Sequence, residues 1–398
     1  MKKQILLLVA IIAIDYNVFA QWQQTSCPDD GYINCLAVSG SNIFAGTGGY
    51  GIFLSTNNGT SWTAVNNGLS NPGITSLAIN GANIFAGTIT GGVFLSSNNG
   101  TSWTAINNGL TNTTVMSIAT SGTNIFAGTD GGVFLSTNNG ASWIARNNGL
   151  TNTHIRSIVI SGTNIFAGTW NDGGVFLTVD SGANWTAVNN GITNKFIYSL
   201  IINGTNIFAG TGGGGIFLST NNGASWTAVN NGLVSTTVQA FAVTGTNIFV
   251  GTFSGGVYFS TNNGSNWTYA NTGLTNMFIY SLVISGTNIF AGTNTAGVWK
   301  RSLSDILWIE ETNNNNISVH PNPVTNYITV ENADFSTKDV ISIYNYNGQM
   351  LIQQTMQQSK TKIDISSLAK GLYLLKVENE DAVPAGRQGI EAEKFIKE

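Results

Sequence analysis

Apolar residues come in short bursts along this chain, and the bursts recur. In residues 115–148, VMSIATSG is followed by NIFAGT, then GGVFLST, then SWIARNN. Each burst is rich in β-branched, aromatic and small residues. Turn chemistry separates them at Ser121-Gly122-Thr123, Asp130-Gly131-Gly132 and Asn138-Asn139-Gly140. Such runs predict antiparallel strands. The hexapeptide NIFAGT, or a near variant, begins at Asn42, Asn83, Asn124, Asn164, Asn206, Asn247 and Asn288, at intervals of 41, 41, 40, 42, 41 and 41 residues. Four strands in about 41 residues is the size of one propeller blade. No stretch carries helical periodicity with caps, so almost no helix is expected before residue 310.

The seventh unit stops after AGVWKRSL, without the Trp-bearing fourth strand of the other six. At the other end, Trp22 precedes Asn42 by 20 residues, and Trp62 precedes Asn83 by 21. Trp22 to Thr25 therefore reads as a displaced fourth strand that pairs with the seventh unit and leaves no open sheet edge. An open solenoid is the competing architecture, but it needs caps rather than exchanged ends. The expected fold is all-β: a seven-bladed β-propeller over residues 21–303, closed by its N-terminal strand, then a small C-terminal β-sandwich.

The third turn reads STNNGTSW at 55–62, SSNNGTSW at 96–103, STNNGASW at 136–143, TVDSGANW at 178–185, STNNGASW at 219–226 and STNNGSNW at 260–267. It resembles the Asp-box (BNR) repeat of sialidase-like β-propellers, with pattern Ser-x-Asp-x-Gly-x-Thr-Trp. Asn57, Asn98, Asn138, Asn221 and Asn262 hold the Asp position, and only Asp180 keeps the acid. The resemblance implies a structural turn. The Asx side chain bonds its own backbone, Gly permits positive φ, and Trp packs between blades.

Antiparallel connectivity puts loops 1–2 and 3–4 of every blade on one face, and loops 2–3 with the interblade links on the other. The first face is monotonous and the second varies. Just after Gly-Thr stand Gly48, Ile89, Asp130, Trp170, Gly212, Phe253 and Asn294, with Asn171 and Asp172 added in the fourth unit. At the start of the inner strands two alternating positions vary: Tyr32 and Asn34, Gly73 and Thr75, Thr114 and Met116, His154 and Arg156, Phe196 and Tyr198, Thr237 and Gln239, Phe278 and Tyr280. The ligand-binding candidates are Tyr32, His154, Arg156, Trp170, Asp172, Phe196, Tyr198, Phe253, Phe278 and Tyr280. Aromatic surfaces with a few polar groups suit sugar rings or extended peptides. The plain alternative is that these side chains plug the channel and pack on each other.

Only 9% of residues are charged, and the formal net charge is −4. No basic face exists to neutralise phosphates, which argues against nucleic acid. Lys2 and Lys3, the apolar run Ile5 to Ile14 and Val18-Phe19-Ala20 form a signal peptide over residues 1–20. The run is too short to span a bilayer, and no transmembrane segment is expected later. Cys27 and Cys35 are the only cysteines. Export makes a disulfide between them one reading, and a pair of unlinked thiols is the other. Two Cys with the distant His154 and His320 do not make a metal site, and no cofactor is expected.

Sialidases on this fold use an arginine cluster, whereas this propeller holds only Arg146, Arg156 and Arg301, and no triad can be assembled. A glycosidase needs two carboxylates about 5–10 Å apart. The acids of the variable face are Asp29, Asp30, Asp130 and Asp172, and Asp130 with Asp172 is the pair that could approach. Both also read as Asx turn residues. No catalytic residue is assigned.

After residue 303 the repeat ends. Residues 304–316 look like a linker, with four Asn at 313–316. Residues 317–398 gain Lys and Glu and read as strand pairs of a small β-sandwich. They resemble the type A C-terminal sorting domain of the type IX secretion system of Bacteroidota. The matching residues are Pro321-Asn322-Pro323, Tyr346-Asn347-Gly348, Ile363-Asp364-Ile365 with Leu368, Gly371-Leu372-Tyr373 and Lys394-Phe395-Ile396-Lys397. The stretch DAVPAGRQGIEA after Glu380 departs from the usual hairpin. The resemblance implies handling by the type IX machinery, removal of the domain, and release or attachment at the cell surface. The expected function is binding of a glycan or protein outside the cell, without catalysis. A glycoside hydrolase using Asp130 and Asp172, and a structural adhesion protein, stay open.

Overall fold

The computed structural model describes residues 21–27, 32–307, 317–332, 335–337, 339–345, 350–379 and 390–397. The signal peptide, Asp29, Asp30, most of the linker, the Tyr346-Asn347-Gly348 turn and residues 381–389 of the departure after Glu380 lie outside these residues. The chain divides after Leu303 into two compact units.

The first unit holds seven four-stranded antiparallel sheets. The third sheet is typical, with strands Val115–Ser121, Asn124–Thr129, Gly132–Ser136 and Ile144–Ala145 paired in that order. Every hexapeptide is the second strand, buried from its second residue to its last. A strand covered on both faces needs an unbroken apolar run rather than alternation, and IFAGT supplies it. Neighbouring sheets share a core. Between the second and third lie Phe85, Val93, Val115, Ile125, Ala127, Phe134 and Trp143. Each inner strand packs on the next, and Ile33–Ser39 packs on Ile279–Ser285, so the sheets close into a β-propeller.

Closure uses the N-terminal strand Gln23–Gln24, which pairs with Lys300 and Trp299. Trp22 then fills the place that Trp143 fills elsewhere. The Trp143 backbone N–H donates to the Asn108 carbonyl at 2.8 Å, and its indole N–H to the Ile106 carbonyl at 2.6 Å. Trp22 donates likewise to Thr272 and Ala270, across the seam between the two ends of the unit. Trp62 of the first sheet reaches back to the Thr25 hydroxyl at 3.1 Å.

Two details differ from the sequence reading. The outer strand is two residues long, not the whole SWIARNN run. Asn147 curtails it: its Oδ1 accepts the Val133 N–H at 2.7 Å and its amide donates to the Gly131 carbonyl at 3.1 Å, replacing ladder bonds with side-chain bonds. A five-residue helix, Leu303–Leu307, follows the last propeller strand.

The Asx turns are built as the sequence suggests. Ser136 Oγ donates to Asn138 Oδ1, which also accepts the Ser142 N–H. Asn139 and Gly140 take positive φ. The fourth turn swaps the chemistry with care. Asn138 donates to the Ser142 hydroxyl, whereas Asp180, which has no donor, accepts from the Asn184 side chain. The hydroxyl of Thr178, with the side chain and backbone of Asn184, holds the Asp180 carboxyl down at about 2.

Cys27 and Cys35 are thiols here, not a disulfide. They serve different cores. Cys27 packs with Ile33, Phe290 and Val298, while Cys35 packs on the other side with Ile74 and abuts Gly46. Burial pushes the Cys35 thiol up to about 12.

The second unit pairs a three-stranded sheet (Ile317–His320, Tyr327–Asn332, Lys360–Asp364) with a four-stranded one (Met350–Thr355, Asp339–Tyr344, Gly371–Asn379, Ile390–Lys397). Its core includes Ile363, Ile365, Tyr373 and Phe395, the apolar members of the sorting motifs. The Tyr373 and Phe395 rings stack at 5.5 Å.

Candidate binding face

The variable residues are positioned by two devices that repeat in all seven sheets. The first is a bulge. Every inner strand slips register across its second residue, between Ile33 and Cys35, Ile74 and Ser76, Val115 and Ser117, Ile155 and Ser157, Ile197 and Ser199, Val238 and Ala240, and Ile279 and Ser281. The skipped residues are Asn34, Thr75, Met116, Arg156, Tyr198, Gln239 and Tyr280. Bulges re-aim side chains, and here they present the residues that differ most. The sequence signal is an apolar spacing of three rather than two, as in Val115 and Ile118 or Ile155 and Ile158, both buried in each case.

The second device is a backbone bond. The N–H of each residue after Gly-Thr donates to the carbonyl of the residue before the inner strand, at 2.9–3.3 Å. It joins Tyr32 to Gly48, Gly73 to Ile89, Thr114 to Asp130, His154 to Trp170, Phe196 to Gly212, Thr237 to Phe253 and Phe278 to Asn294. Six of these pairs hold at most one ring. At Gly212 the reason is space: a Cβ there would lie 2.6 Å from the Tyr198 ring. Only the fourth sheet carries a large side chain on both members, His154 and Trp170. Beyond them Asn171 and Asp172 both take left-handed φ, 59° and 66°.

The rings meet in two groups. Trp170 lies 6.1 Å from Tyr198, with the Arg156 guanidinium 5.5 and 5.6 Å from the two centroids. Phe253 meets Phe278 edge-on at 5.3 Å and Tyr280 at 6.4 Å, and Tyr280 meets Tyr32 at 6.0 Å. The groups face each other closely enough for Arg156, Tyr198 and Tyr280 to feel one another's charge. Burial lowers the pKa of Arg156 and raises that of Tyr280. His154 Nδ1 is 3.4 Å from Asp130 Oδ1. Phe196 and Asp172 are exposed and join neither ring group. The Asp130 carboxylate is engaged by His154, and Asp172 sits in the left-handed turn.

Packing among the rings does not hide them. Tyr32, Trp170, Phe196, Phe253 and Phe278 keep 37–48% of their surface exposed. Of the eleven large apolar side chains exposed on the propeller, eight lie on this face, Tyr50, Ile89 and Val234 being the other three. The Asn294 amide oxygen is buried there without a hydrogen-bond partner. Among the described residues, no group of His, Cys, Asp or Glu could hold a metal ion, and no helix is long and apolar enough to cross a membrane.

No curated protein matches the sequence. Among solved structures, the extracellular domain of BT3049 from B. thetaiotaomicron is similar with TM-score 0.62 at 14% identity, over 95% of this chain and 57% of that one. PorZ of Porphyromonas gingivalis, a bacterial surface component of the type IX secretion system, gives 0.57 at 16%, over 93% and 60%. YCF48 from Cyanidioschyzon merolae gives 0.56 at 15%, over 71% and 98%. A YCF48 structure bound to D1 peptide gives 0.56 at 16%, over 73% and 96%. At such identities the likeness is one of fold, the β-propeller. Residues 318–388 match the family described as secretion system C-terminal sorting domain. The chain is thus a β-propeller repeat protein with a type IX sorting domain, exported to the cell surface or beyond.

Proposed function

We propose that this is an exported binding protein whose variable face takes a segment of another protein. The observation that carries this reading is the segregation of exposed rings. Of the seven rings exposed on the propeller, six (Tyr32, Tyr50, Trp170, Phe196, Phe253 and Phe278) lie on the face whose sequence varies, and the face built of repeated turns is bare of them. Residues 21–303 hold five Lys or Arg, five Asp and no Glu. A face rich in aromatics, carrying one Arg and poor in Lys and Glu, has the composition of protein-interface cores. Apolar patches rimmed by polar groups mark such sites on soluble proteins. Sugars are the second reading, favoured by the tilted Trp170–Tyr198 pair beside Asn171 and Asp172.

The full chain, screened against a random-peptide library and a glycan array, tests both. Peptide binding that disappears in Trp170→Ala and Phe253→Ala is the expected result. Binding confined to the glycan array and lost in Trp170→Ala would move the reading to sugars. Ligands unaffected by either substitution would remove this face from consideration.

A further inference from the structure

Arg156 is a cation held by rings instead of by an acid. Its guanidinium packs against Trp170 and Tyr198, on the bulge that aims it at the channel mouth. Among the described residues no carboxylate lies within 4.0 Å of it, and no acceptor takes its N–H donors. Asp130 is near enough for its charge to reach Arg156, but its carboxylate is turned to His154. The flanking rings cover part of the guanidinium and leave its N–H donors open to an incoming acceptor.

We propose that Arg156 anchors a carboxylate on the bound protein segment, with Trp170 and Tyr198 covering the apolar part of the same residue or its neighbour. A single guanidinium fork matches a two-oxygen carboxylate bidentately. A phosphate would call for further cations, and the propeller offers few: besides Arg156, Lys195 is the one Lys or Arg that lies neither in nor beside an outer or closing strand. The carboxylate comes either from an Asp or Glu side chain or from a free C-terminus. This inference rests on the protein-binding reading above.

The test is selection of random dodecamers with free C-termini on the full chain. Selected peptides are then resynthesised as C-terminal amides and with Asp and Glu changed to Asn and Gln. A charge-assisted pair implies a ten- to hundredfold loss of affinity, roughly, when either partner is neutralised. That loss is expected in Arg156→Met with the parent peptide, with Arg156→Lys in between. Neutralised peptides should show no further loss on Arg156→Met. Loss on amidation identifies the C-terminus as the source, and loss on Asn or Gln exchange identifies a side chain. Should Arg156→Met melt early, the neutralised peptides on the unaltered protein decide alone. Neutral selected peptides that need Trp170 but not Arg156 would overturn the carboxylate while leaving the face intact. Failure to select any peptide would sink both proposals.

Discussion

Trp22→Ala tests whether the propeller is one closed ring. Trp22 is 2% exposed and sits in the seam between the N-terminal strand and the seventh sheet. Truncating a buried Trp costs about 3–5 kcal/mol in transfer and cavity terms. The indole bond to the Ala270 carbonyl adds about 1 kcal/mol. At about 2–4 °C per kcal/mol, the scale for domains of 150–250 residues, the melting point should fall by roughly 8–24 °C. The internal standard is Trp143→Ala, whose side chain is 3% exposed and makes the same indole bond, to Ile106. In a closed ring the two seams are equivalent, and the two variants should melt within a few degrees of each other. Nine of the ten Trp lie in residues 21–303, so intrinsic fluorescence during heating follows this unit. A Trp22→Ala shift under ~2 °C, beside a large shift in Trp143→Ala, would mean the ends do not hold one another.

Three further outcomes follow from local geometry. Gly109→Ala should lower stability by roughly 3 kcal/mol or more, because its φ is +85° and the new Cβ would lie 2.3 Å from the Trp143 carbonyl oxygen. Gly122→Ala, at φ +59° with open space around it, should cost only about 1–2 kcal/mol in a urea titration. The Asp180 carboxyl is held at about 2, below the ordinary 3.8 of an aspartate, so its contribution is complete above about pH 4 and lost as pH falls toward 2; Asp180→Asn should therefore flatten the fall in melting temperature between pH 4 and 2, and parallel curves would refute the assignment. Cys35, raised to about 12, and Cys27, wholly buried, should resist iodoacetamide at about pH 8 in the native protein and react after unfolding, as mass spectrometry would show.

The period of 41 and the split last unit were enough to place strands, order them and close the ring, because scaffold residues repeat. Asn42–Thr47 and its six copies are strands to the residue. What the sequence could not show was how side chains end strands. Asn66, Asn107, Asn147, Asn189, Asn230 and Asn271 look like ordinary turn residues, yet each bridges the start of the third strand to the loop before it. An amide that replaces a backbone ladder bond has the same composition as one that points to water. The variable face was legible as a set of positions. Its pairing was not, since Tyr32 and Gly48 are far apart in sequence and are joined by a backbone bond that carries no side-chain signature. The thiols were ambiguous for a related reason: spacing does not say which side of a sheet each cysteine faces.

Under the proposed binding reading, the pairing rule also favours one arc of the face over the rest. Where one partner is large, the other is small enough to lie beneath it, so most positions hold one ring or none. The fourth sheet breaks the rule and has the longest interval, 42 residues, which adds the left-handed pair Asn171 and Asp172. The inserted turn sits directly beside Trp170 and therefore beside Arg156. The second and third sheets, with Gly73, Thr75, Thr114 and Met116, leave the opposite arc of the mouth low and ring-free. A bound segment anchored at the fourth sheet can then run over the fifth to first sheets, where rings stand exposed, and not across the second and third. Shortening the turn by deleting Asp172 should weaken peptide binding about as much as Trp170→Ala, roughly tenfold or more, while Ile89→Ala on the second sheet should leave it within about twofold. Equal losses from Asp172 deletion and Ile89→Ala would show that the ligand covers the whole rim instead of one arc.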